Sequence, residues 1–277
     1  MKPGEYNINK PPYLYYKMDI TAYLTECIRN QTPVSFSKYG DGEFLAASGC
    51  SGANCDRDTY TEALSRGLRE GFASMVEKGP NTYIGIWHDG NHIEFWKTLL
   101  NSGVSTPINL AKYHTIIMDN DSRKEKVELL RTIKTSSMKK IYVCNPLMVR
   151  AKGLLNVDCM IHVPFNNWFD AKFDEILAEI KSALTDEPCI VMTSAGMGAK
   201  VLIAELTKVY PQNIYLDFGS ALDKVCTKKT SRGWEPSYEE LMTELRELLP
   251  EDWDAEEYIP VFEEAKQKLG VHAPWLI

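Results

Sequence analysis

Long apolar runs are missing from this chain of 277 residues: no stretch of about 18 consecutive apolar residues occurs, and no bilayer-spanning helix is expected. The opening, Met1 to Lys17, is rich in Pro, Tyr and Asn and lacks the apolar centre of a signal peptide. A basic excess is missing as well. Lys and Arg total 31 against 38 Asp and Glu, a formal charge of -7, whereas a sequence-independent nucleic-acid binder needs a basic face to displace counterions. Phosphate ligands stay open, since backbone amides or a metal ion hold phosphate in an acidic protein. The seven cysteines are odd in number and contain no Cys-x-x-Cys pair; three of them sit in apolar, strand-like runs. They read as reduced thiols of a cytoplasmic protein without a structural zinc site. No His-Glu-x-x-His, Gly-x-Ser-x-Gly or kinase set occurs, which leaves zinc proteases, serine hydrolases and protein kinases without support.

What is present is an ordinary globular composition, 44% hydrophobic, 10% aromatic and 25% charged, with no internal repeat or low-complexity tract. An extended N-terminal arm leads to a helix over Ile20 to Arg29 and a strand from Val34 to Ser37. Thr59 to Glu77 places Leu64, Leu68, Phe72 and Met75 at helical spacing. A strand over Thr82 to Trp87 and helices over Ile93 to Leu100 and Ser122 to Ile133 follow. The second half alternates regularly. Strands are expected over Lys140 to Cys144, Cys159 to Val163, Cys189 to Thr193 and Ile214 to Asp217, with helices over Trp168 to Leu184 and from Gly198 through about Tyr210. That alternation predicts an α/β fold, a Rossmann-like, mostly parallel sheet flanked by helices. We read 1–233 as one α/β domain with its N-terminal arm, and 234–277 as a helical extension, broken at Pro250, that packs on the domain or serves a homodimer.

Three segments carry candidate chemistry. Lys38-Tyr39-Gly40-Asp41-Gly42-Glu43-Phe44 sets two carboxylates two residues apart on a glycine-flanked turn after a strand, where open α/β sheets bind ligands. Such carboxylates suit a hard divalent cation beside a substrate's phosphates, or form a plain surface turn. Ser194-Ala195-Gly196-Met197-Gly198 turns a buried strand into a helix whose first amides suit a diphosphate, or serves only close helix–sheet packing. It is neither a P-loop, lacking Gly-Lys-Ser/Thr, nor a Rossmann fingerprint, having Val201 in the third glycine's place. Trp87-His88-Asp89 sets two proton-transfer groups after another strand, or is an exposed turn over a packed tryptophan. Arg150 suits a phosphate and Trp168 a base or sugar ring, against the commoner fates of solvent exposure and core packing.

Taken in order, these stations resemble the GT-D-type glycosyltransferases. Lys38 to Glu43 is similar to that family's Arg-(Phe/Tyr)-Gly-Asp-Gly-Glu signature. Val163-Pro164-Phe165-Asn166-Asn167, Ser194 to Leu202 and Leu216-Asp217-Phe218-Gly219-Ser220 match its later stations. The resemblance runs from about Val34 to Asp223, with Lys38 where the family often has Arg and Ser220 where it often has His. It implies a sugar transferred from a UDP-sugar, such as UDP-glucose, UDP-galactose or UDP-xylose, to a hydroxyl of an acceptor glycan. It implies Mn2+ or Mg2+ on Glu43 and Asp41 and one nucleotide-sugar site; the donor is expected near Lys38, Tyr39, Gly40, Arg150 and the amides of Ser194, Ala195, Gly196, Met197 and Gly198. Asp89 and then His88 are the candidate bases. Against this stand a non-catalytic nucleotide- or glycan-binding module and another nucleotide-phosphate enzyme.

Overall fold

The computed structural model describes residues 14–17, 20–54, 56–78, 81–86, 108–112, 123–164, 167–228, 236–251 and 253. The described strands are β1 (Leu14–Lys17), β2 (Val34–Tyr39), β3 (Thr82–Ile86), β4 (Ile108–Lys112), β5 (Lys139–Cys144), β6 (Cys159–His162), β7 (Cys189–Ser194) and β8 (Ile214–Asp217). They form one sheet in the order β1-β4-β3-β2-β8-β7-β5-β6, and every pairing is parallel. All six residues of β2 and of β7 are buried, as strands covered on both faces must be.

The described helices are α1 (Ile20–Arg29), α2 (Asp41–Ala47), α3 (Glu62–Glu77), α4 (Arg123–Thr135), α5 (Ala151–Leu155), α6 (Phe169–Ala183), α7 (Gly198–Val209), α8 (Asp223–Thr227) and α9 (Tyr238–Leu245). Apolar stripes sort them between two cores. Leu64, Leu68, Phe72 and Met75 of α3, Ile176 and Ile180 of α6 and Leu202, Ile203 and Leu206 of α7 cover one face over Ile141, Val143, Val191 and Tyr215. Ile20, Leu24 and Ile28 of α1, Leu129, Leu130 and Ile133 of α4 and Leu241 and Leu245 of α9 cover the other, over Phe36, Tyr142, Ile190 and Leu216. Phe173 and Leu177 of α6 are only partly buried against the first core.

The direction in which strands are added to the sheet reverses between β7 and β5. From β5 the chain passes through α5 to the edge strand β6, whereas from β7 it passes through α7, on the opposite face, to β8. Helices that leave neighbouring strands on opposite faces open a crevice above the strands' carboxyl ends, where such sheets bind ligands.

Most elements lie within two residues of the expected bounds, and Ile20–Arg29 and Ile214–Asp217 coincide with them. The helix expected from Thr59 begins at Glu62, because the Thr61 hydroxyl accepts the Leu64 N–H at 3.1 Å and caps it. β1, β4, α5 and α8 were not singled out in the sequence. The expected helix over Ile93 to Leu100 and most of the second tail helix lie outside the described residues. No described helix is long and apolar enough to cross a membrane.

Candidate active site at the carboxyl edge of the sheet

Gly40 ends β2 and caps α2, so the Asp-Gly-Glu stretch is the first turn of a helix, where a free turn was expected. Asp41 and Glu43 therefore point roughly 200° apart around the helix axis. Asp41 is exposed. Glu43 is buried, and its Oε2 accepts the Gly40 N–H at 2.8 Å. That bond is half of a capping box, the half a glycine cap permits. Gly42 packs against Asn54, where a Cβ would lie 3.1 Å from the asparagine Cβ and 3.9 Å from Met197 Sδ. The first turn of α2 thus sits beside the start of α7, and two of the three candidate segments meet.

Their meeting point is Lys200, on the first turn of α7. Its Nζ lies 3.1 Å from Glu43 Oε1, 3.1 Å from Asp217 Oδ2 and 3.0 Å from the Gly196 carbonyl oxygen. The side chains of Lys200, Glu43 and Asp217 are 5%, 12% and 0% exposed, so these pairs act in a poorly solvated interior. Asp217 also accepts the Lys38 N–H at 2.9 Å and the Gly219 N–H at 3.0 Å. The Lys38 ammonium donates to the Phe218 carbonyl at 2.7 Å. Burial pushes the Lys38 ammonium down to about 8, and Lys200 adds to the fall while Asp217, Glu43 and Asp223 oppose it. Gly219 is left-handed, φ +53, and a Cβ there would stand 2.3 Å from Lys38 Nζ, so this loop admits the lysine only as glycine.

At the second expected site, the bend before α7, a carboxylate of the protein itself takes an amide. Asp58, on the segment between α2 and α3, accepts the Asn167 N–H at 2.8 Å and is also bonded by the Met197 amide. Gly196 is left-handed, φ +61, and a Cβ there would lie 2.6 Å from Asp58 Oδ2. Burial first, and then Asp56 and Glu43, lift Asp58 to about 6 against the pull of the two amides. Two clasps hold the segment: Thr59 N–H donates to Asn167 Oδ1 at 2.7 Å, and Thr61 Oγ1 to Asp170 Oδ1 at 2.9 Å.

Other expected residues fall apart from this constellation. Tyr39 is core, its ring edge-on to Phe72 and its hydroxyl 3.6 Å from a Cβ built on Gly71. Arg150 is buried with its guanidinium 5.7 Å from the Trp253 ring, so packing under the segment after α9 takes the side chain expected to meet a phosphate. Trp168 is buried, donates Nε1 to the Ala195 carbonyl at 3.0 Å and leaves no room for a Cβ at Gly198, 2.5 Å from the ring. It is a packing tryptophan, and Gly198 is the glycine it requires. Ala195, Met197 and Gly198 are buried behind it, and the Ser194 hydroxyl pairs with the Tyr142 hydroxyl at 2.7 Å. Trp87, His88 and Asp89 lie outside the described residues; Ile86, which precedes them, pairs with Tyr39.

A metal held by both acids does not fit these side chains. Each Glu43 oxygen has a donor, one of them an ammonium, and Asp41 points away. Among the described residues no three His, Cys, Asp or Glu side chains converge on one point. Lys200, Asp217 and Asp58, all outside the expected site, carry its electrostatics. Lys200 and Asp217 stand inside stretches already singled out, whereas Asp58 has no local signal.

No protein-family model and no curated protein matches the chain. Solved structures do. One, described as the highly conserved domain of unknown function 1792 with a distinct glycosyltransferase fold, superposes with a TM-score of 0.52 at 16% identity, over 86% of this chain and 90% of the other. Another, described as a new glycosyltransferase of that domain type from Streptococcus sanguinis, superposes with a TM-score of 0.54 at 15% identity, over 85% and 95%. With its parallel sheet and flanking helices, this chain has the glycosyltransferase fold of those domains.

Proposed function

We propose that the protein is a glycosyltransferase that moves a sugar from a UDP-sugar to a hydroxyl of an acceptor glycan. The supporting observation is the convergence of Glu43, Lys200 and Asp217, from α2, α7 and β8, at one carboxyl edge of a sheet with this fold.

Departure of a nucleoside diphosphate builds negative charge on its outer phosphate, and the site must meet that charge. Lys38 and Lys200 face Glu43 and Asp217, with Asp223 also acting on Lys38, so the buried lysines have their counter-charges within the protein before a donor arrives. Its work is to hold the ends of β2, β8 and α7 rigidly beneath the donor. Asp41, exposed on the same turn, is the carboxylate open to a Mn2+ or Mg2+ ion carried by the diphosphate, which would supply Lewis-acid neutralisation of the leaving group. The acceptor hydroxyl's proton is assigned to Asp89, with His88 second, on the chain that continues from β3.

The test pairs binding with turnover. Thermal unfolding is followed with UDP, GDP, ATP and NAD, with and without Mn2+, and released UDP is measured from UDP-glucose, UDP-galactose and UDP-xylose with candidate acceptors. Selective stabilisation by UDP together with acceptor-dependent UDP release is the expected result. Stabilisation by UDP with no donor turned over identifies a non-catalytic binding module. Stabilisation by ATP or NAD alone identifies another nucleotide-phosphate enzyme.

A further inference from the structure

We infer that Lys200 is the resident cation of this edge: a positioning residue that takes the place on Glu43 that a divalent ion would need. The reasoning starts from valence. An ammonium has three N–H donors, and Lys200 faces three acceptors, Glu43 Oε1 at 3.1 Å, Asp217 Oδ2 at 3.1 Å and the Gly196 carbonyl at 3.0 Å. The carboxylates it joins are turned inward by their other bonds, Glu43 to the Gly40 N–H and Asp217 to the N–H groups of Lys38 and Gly219. An ion approaching Glu43 would meet a buried like charge and would have to displace an ammonium held on three sides.

The three acceptors belong to the first turn of α2, the end of β8 and the bend before α7, the last two joined by α7 and the first more than a hundred residues away. Lys200 therefore does what a structural ion does elsewhere: it collects oxygen atoms from separate elements and fixes their spacing. Glu43 becomes a strut that orients α2, and Asp41 is left as the carboxylate of that turn facing solvent. This inference concerns the protein without donor and stands or falls apart from the proposed activity.

The test counts free Mn2+ by electron paramagnetic resonance in the nucleotide-free full chain. Wild type should show no Mn2+ binding that Glu43→Gln removes. Lys200→Met leaves Glu43 and Asp217 without their shared cation and should bind Mn2+ about tenfold or more tightly than wild type, a gain that Glu43→Gln in the same chain cancels. Lys200→Arg, which keeps the charge, should show no such gain. A wild-type site that Glu43→Gln abolishes overturns the inference, and so does a folded Lys200→Met chain with no gain. Should Lys200→Met fail to fold, wild type is compared with Glu43→Gln and Asp41→Asn: a Mn2+ signal that Glu43→Gln removes and Asp41→Asn leaves in place is ligation by Glu43 and overturns the inference, and its absence supports it.

Discussion

Replacing Lys200 by Met puts a number on the buried cluster. The substitution keeps most of the side chain's apolar length and removes one charge from a place where the lysine is only 5% exposed. Glu43 and Asp217 then lose a contact of 3.1 Å each, and breaking a buried pair from one side costs about 3–5 kcal/mol, because a charge is left uncompensated. In a domain of this size that loss lowers the melting temperature by roughly 6–20 °C. Glu43→Gln alone should cost less, about 1–3 kcal/mol, since Lys200 retains Asp217 and Gly196. Joined to Lys200→Met it removes one of the two stranded charges, so the double variant should be about 1–3 kcal/mol more stable than the sum of the single effects. Equilibrium unfolding in urea, followed by circular dichroism, measures all three variants. Additive losses would show that Glu43 and Lys200 do not interact, and the account of the edge as a cluster organised by Lys200 would be wrong.

Three further outcomes follow from the same geometry. Asp58 is lifted by burial from an ordinary value near 3.8 to about 6, so its contribution to stability is complete below about pH 4 and is lost as pH rises through 6. Between pH 4 and 7 the stability of wild type relative to Asp58→Asn should therefore fall by about 2 kcal/mol, and a flat difference in paired urea titrations contradicts this. Gly219→Ala sets a Cβ 2.3 Å from Lys38 Nζ on a left-handed residue, and should cost about 2–4 kcal/mol by the same assay; a loss below about 1 kcal/mol would mean that Lys38 moves aside freely. Gly198→Ala drives a methyl to within 2.5 Å of the Trp168 ring and should cost about 1–3 kcal/mol with a shifted tryptophan emission; unchanged emission and stability would argue against the close packing.

Periodicity made most of the fold legible before any coordinate. The apolar runs of β7 and β8 and the helical stripe of α3 follow from local rules, since a strand covered on both faces and a helix covered on one leave different spacings of apolar residues. β4 escaped because Ile-Asn-Leu-Ala-Lys is a short, mixed pentapeptide, and its pairing with β1 joins residues 94 positions apart, as Leu14 to Ile108. The chemistry divides along the same line. That acids and a glycine bend belong near strand ends was readable from Asp41, Glu43 and Gly196, because glycines and strand ends are local features. Which acid faces inward was not readable: α2 begins at Asp41, so helix geometry, not spacing along the chain, turns Glu43 under and leaves Asp41 out. Nor did any local pattern reveal that Lys200 would stand against Glu43 and Asp217, or that Asp58 would enter the bend before α7. Local propensity acts over a few residues, whereas a buried charge must find its counter-charge wherever the sheet brings one, and only the folded chain decides that.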